Sequence, residues 1–158
     1  MLGFKTSAMT FAVLMCSAAV APIYAQEAPK FVFEGDVVRG NGPGAQGPGC
    51  VLNSRFKRGE TMLFRIRVVD PKSGKSLDDK GVKSLEIQLS NGQKAPMSYH
   101  QHPPKEPTDW FWSGGWIVPD NQPTGSLSYK VVVTDLDGKT QDWSPFKVAN
   151  SQITVVEN

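Results

Sequence analysis

Cysteine is scarce in this chain of 158 residues, with only Cys16 and Cys50 present. Cys16 lies in an N-terminal segment that reads as a removable export signal, so the remaining domain keeps one thiol and cannot form an internal disulfide. Charge of one sign is lacking too. Seventeen basic residues against fifteen acidic ones give a formal net charge of +2, which offers no electrostatic footing for nucleic acid or acidic lipid. Long apolar runs are missing: residues 8–20 form a stretch too short to span a bilayer comfortably, and no later one is long enough. No window carries a sustained helical period. These absences argue against a disulfide-stapled scaffold, a membrane span by helices and a helical bundle. Stability must come from an ordinary hydrophobic core, which a chain of this length can supply.

The N-terminus has the three parts of a secretory signal. Lys5 gives a positively charged start, residues 8–20 are apolar, and Pro22-Ile23-Tyr24-Ala25 ends on a small residue suited to a peptidase cut. A lipidation site would place a small residue just before Cys16, and Met15 stands there instead. Cleavage after Ala25 removes Lys5, lowers the formal charge to +1 and leaves residues 26–158, the length of one domain. The expected location is periplasmic or secreted.

What is present in abundance is alternation. Met62, Phe64, Ile66 and Val68 alternate with Leu63, Arg65, Arg67 and Val69, which places the two arginines on a solvent face between core residues. Leu85, Ile87 and Leu89 repeat the pattern, as do Leu127, Tyr129, Val131 and Val133. Shorter strands are expected at 31–38, around Val51, at 110–118 and at 152–156. Asp70-Pro71-Lys72-Ser73-Gly74-Lys75, Asn91-Gly92 and Asp137-Gly138 punctuate them as turns. The glycine- and proline-rich residues 40–49 and the stretch 100–108, with Pro103, Pro104 and Pro107, read as long loops. The fold class is therefore all-β, an antiparallel two-sheet sandwich of about seven strands.

Two segments carry a resemblance. Gly59-Glu60, the alternating strand after it, Asp70 and Gly74 resemble a recurring pattern of bacterial extracytoplasmic immunoglobulin-like modules. Pro123-Thr124-Gly125, the strand with Tyr129, and Asp137-Gly138 do the same. The resemblance implies an immunoglobulin-like sandwich and no particular activity, because such folds serve as adhesins, enzyme appendages, carriers and assembly factors.

Both histidines fall in Met97-Ser98-Tyr99-His100-Gln101-His102. On a strand, His100 and His102 share a face, and with Met97 and Cys50 they form a candidate set for copper, or for zinc through the thiolate. The bland alternative is a polar, proline-flanked segment that binds nothing. Aromatics are dense nearby: Tyr99, Trp110, Phe111, Trp112 and Trp116, with Trp143 further on. Alternation puts Trp110 and Trp112 on one face and Phe111 on the other. Part of this set belongs to the core, and Tyr99, Trp110, Trp112 and Trp116 are the candidates for a stacking surface. Gly42-Pro43-Gly44-Ala45-Gln46-Gly47 matches a dinucleotide fingerprint only formally, since Pro48-Gly49 cannot open the helix that motif needs. Asp135-Leu136-Asp137-Gly138 lacks the later ligands of a calcium loop, with Phe146 at the twelfth position.

The expectation is a non-enzymatic exported binding or accessory module, acting on an exported or envelope protein or a small ligand through loops and exposed aromatics. A metal carrier using His100 and His102 is the alternative. A Cys50-dependent enzyme with His100 or His102 as base is the third. Oligomeric state is open, an edge strand being able to pair with a second copy.

Overall fold

The computed structural model describes residues 29–42, 49–146 and 153–157. The signal segment and residues 43–48 of the glycine-rich loop lie outside them. Ten strands appear among the described residues, and no helix: β1 (Val32–Arg39), β2 (Arg55–Lys57), β3 (Thr61–Val69), β4 (Ser84–Leu89), β5 (Lys94–His102), β6 (Asp109–Ile117), β7 (Gly125–Leu127), β8 (Tyr129–Thr134), β9 (Thr140–Trp143) and β10 (Ile153–Val156). The fold is all-β, as the alternation requires. Instead of two separate sheets of about seven strands in total, it has one curled seven-stranded antiparallel sheet, in the order β1-β3-β6-β5-β4-β8-β9, and a three-stranded sheet β2-β10-β7.

Strand β5 is the hinge of the curl. Its first half, through Met97, pairs with β4, while Ser98 to His102 pair with β6. The changeover is written in the sequence as a proline and a glycine. Pro96 has no N–H to give a ladder, and Gly114 lets β6 come close, since a Cβ there would sit 2.8 Å from the Pro96 carbonyl oxygen.

Because the sheet curls, its first and last strands meet. No backbone ladder joins β1 to β9 in the strand order; side chains close the seam. Lys30 pairs with Asp135 at 2.5 Å. The Gln141 amide accepts from the Phe31 N–H at 3.1 Å and donates to the Phe31 carbonyl at 3.0 Å. Phe33 and Trp143 stack with ring centroids 5.9 Å apart and planes 11° apart.

Inside the curl lies one core. Met62, Phe64, Ile66 and Val68 of β3 meet Leu85, Ile87 and Leu89 of β4, Val131 and Val133 of β8, and Trp112 and Trp116 of β6. The small sheet adds Phe56, Leu127, Ile153 and Val155 to the same cluster. Each such side chain contributes about 1.5–3 kcal/mol on burial. The turns form where the sequence puts them: Gly74, Gly92 and Gly138 all have positive φ. Asp135 accepts from the Lys139 N–H at 2.8 Å, tying the β8–β9 hairpin.

Candidate functional site

Strands β5 and β6 run antiparallel with Tyr99 opposite Trp112, Gln101 opposite Trp110 and His102 opposite Asp109. The pleat sends alternate residues to opposite faces. Trp110, Trp112 and Trp116 therefore share the core-facing side with Tyr99, and Phe111 lies on the outer side, as alternation along this stretch demands. Trp116, opposite Met62, and Trp112 are buried. Trp110 lies on the same side but at the rim of the core, and it is 46% exposed.

These rings form a column. Trp112 is its base, held by a hydrogen bond from its indole Nε1 to the Leu77 carbonyl at 2.9 Å. Tyr99 leans on Trp112 with centroids 5.6 Å apart. Trp110 then stacks on Tyr99 at 5.7 Å, with planes 25° apart. Half-buried Tyr99 has its phenol pKa raised, first by desolvation and then by the charges of Asp78, Asp109 and Asp79, against a smaller opposing effect of Arg67. Gln101, across from Trp110, donates its amide to the Pro104 carbonyl at 2.6 Å, fixing the start of the β5–β6 connection.

The outer face of the same strands carries charge. Arg65 grips Asp36 through two hydrogen bonds of 2.7 and 2.5 Å, and Arg67 bridges Glu34 and Asp109. The Arg67 hydrogen bond holds the Asp109 carboxyl below the ordinary carboxylate range. Phe111 lies between Arg65, 5.7 Å from its ring, and the His102 ring at 5.4 Å.

His100 and His102 belong to β5 rather than to a loop, and both project on this outer face. Met97 is on the opposite, core side and only 7% exposed, so the pleat separates it from both imidazoles. Cys50 is half-buried beside β1, its N–H donating to the Arg39 carbonyl at 2.7 Å. Strands β3 and β6 intervene between β1 and β5, a span of roughly 14 Å at the usual strand spacing. The structure brings the two histidines together and brings neither Met97 nor Cys50 to them. Among the described residues no group of three or more His, Cys, Asp or Glu is arranged to hold a metal ion. The same separation keeps Cys50 away from His100 and His102 as a nucleophile and base.

No protein-family model and no curated protein matches the chain.

Two features of the site escaped sequence reasoning. The first is that β5 runs through nine residues to His102, into the stretch 100–108 that the sequence presents as a loop. The second is Leu77, whose carbonyl anchors Trp112 across 35 positions of sequence. Trp143 is half-buried in the seam with Phe33 and takes no part in the column.

Proposed function

We propose that this protein is an exported, non-enzymatic binding module with an immunoglobulin-like sandwich, and that it engages a ligand or envelope partner through the Trp110 end of the aromatic column. The strand order supports the fold reading. Its β1-β3-β6-β5 half follows the A-B-E-D order of an immunoglobulin constant domain, and β4-β8-β9 follows C-F-G. Export rests on the signal-like N-terminus, and the protein then acts in the periplasm or outside the cell. No helix is long and apolar enough to cross a membrane among the described residues.

One observation carries the binding reading. Trp110 is 46% exposed, yet it is fixed by stacking on Tyr99. Holding a large ring in one orientation before binding removes the entropy that a loose side chain would lose on contact, and tryptophan is favoured at the energetic centres of interfaces. The rigid strands beneath supply the positioning. A non-enzymatic role fits the distance between Cys50 and the imidazoles.

The test is co-sedimentation of purified protein with washed cell-envelope fragments, comparing wild type with Trp110→Ala. Loss of binding with the β-sheet circular dichroism spectrum and a cooperative unfolding transition retained supports the reading. Equal retention of both proteins sinks it. Sequencing the N-terminus of the exported form checks the cut, which should expose Gln26.

A further inference from the structure

From the shape and charge of the column we infer that the class of ligand it takes is a neutral saccharide of gluco or N-acetylgluco configuration, one pyranose ring stacking on the outer face of Trp110. This rests on the reading of Trp110 as the binding end and deepens it.

Geometry distinguishes among ligands that aromatic residues recognise. A cation is enclosed by rings set around it as a cage. Here the rings are piled one on another, with Trp110 and Tyr99 only 25° from parallel at 5.7 Å. Tyr99 covers one face of Trp110, so the 46% exposure is carried by the other face and the edge. The column therefore offers a single flat apolar surface and no enclosure. A flat surface suits a flat partner. A pyranose with equatorial hydroxyls presents such a face, made of its axial C–H groups, and carries its hydroxyls around the rim.

The rim of the column can receive those hydroxyls. Exposed Asp79 lies in the β3–β4 connection that also supplies Leu77 and bears on the Tyr99 phenol, whereas Asp78 accepts from the Lys80 and Gly81 N–H groups of its own turn and Asp109 is held by Arg67 on the outer face. Carboxylates are acceptors only, and they pair well with the donor hydroxyls of a sugar. A uronic or sialic acid carboxylate would face the like charge of Asp79, which favours a neutral sugar. Rigidity completes the argument. Trp112 is pinned by its hydrogen bond to Leu77 and Tyr99 is held between two indoles, so binding orders little of the protein.

Isothermal titration calorimetry of the purified protein with cellohexaose and with chitohexaose tests this, using wild type, Trp110→Ala and Trp110→Phe. The expected result is binding of at least one hexaose, weakened about tenfold or more in Trp110→Ala and largely kept in Trp110→Phe, with a cooperative unfolding transition kept in both. Binding that Trp110→Ala leaves intact overturns the placement. Absence of binding to both hexaoses overturns the saccharide class. If envelope co-sedimentation still depends on Trp110 in that case, the binding end stands and its ligand is a protein. If that dependence is absent too, both readings fall.

Discussion

The seam between β1 and β9 should show a measurable coupling between two side chains that no backbone hydrogen bond connects. Phe33 and Trp143 stack at 5.9 Å across the meeting edges of the curled sheet. Aromatic pairs of this kind contribute about 0.5–1.5 kcal/mol beyond the area they bury. A double-mutant cycle with Phe33→Leu and Trp143→Leu isolates that part, since leucine keeps most of the apolar volume and removes the ring. We expect a coupling energy of about 1 kcal/mol from urea unfolding followed by far-ultraviolet circular dichroism. Each single variant should lose about 1–2 kcal/mol, because both side chains are only partly buried. Hydrogen exchange supplies the spatial readout. Opening the seam should speed exchange in β1 and β9 before β4 and β5, which lie deep in the ladder order. Additive single effects, with exchange in β9 unchanged, would refute the idea that side chains close this sheet.

Three other outcomes follow from the same structure. Gly114→Val should destabilise by about 1–3 kcal/mol in the same unfolding assay, because its Cβ would meet the Pro96 carbonyl at 2.8 Å; a neutral substitution would remove the close approach as the basis of the β5 changeover. Burial pushes the Tyr129 phenol up to about 12, so the stability it contributes is fully present below about pH 10 and is lost as pH rises toward 12; the late tyrosinate absorbance step should vanish in Tyr129→Phe. At the acid end, Asp109 held low by Arg67 and Asp135 held low by Lys30 stabilise the fold above the unfolded carboxyl pKa of about 4 and less so as pH falls through their folded values; a urea midpoint that stayed flat from pH 5 to 2.5 would contradict this.

How much of this was legible in the sequence depends on distance along the chain. Alternation in residues 61–69 and 129–134 reads directly as strands, because the period of two is a local property of the pleat. The turns at Gly74, Gly92 and Gly138 are legible for the same reason, each being a matter of one residue's φ. Residues 100–102 read as the start of a loop because the prolines after them are a local signal, whereas the pairing with β6 that keeps them in β5 involves residues 109–111 of another strand. The curl, and with it the Phe33–Trp143 seam, joins residues 110 positions apart, and no window of sequence carries that information.

The candidate site follows the same rule with a sharper consequence. Composition brings Met97, His100, His102 and Cys50 into one apparent set, since each is a soft or borderline ligand and three of them are neighbours in the chain. Adjacency in a strand is what divides them. An odd separation puts Met97 across the sheet from His100, while Cys50 is held at the far edge of the same sheet. The aromatic set divides by depth instead. Trp110 and Trp112 differ by an even step and share a face, as alternation requires, yet one is 46% exposed and the other 4%. What separates them is where the core ends along β6, and that is decided by Leu77 and Tyr99, supplied by another connection and another strand. Sequence pattern can therefore nominate the face on which a binding residue lies. Which residue of that face meets solvent is settled by the packing of the neighbouring strands, and here it is Trp110.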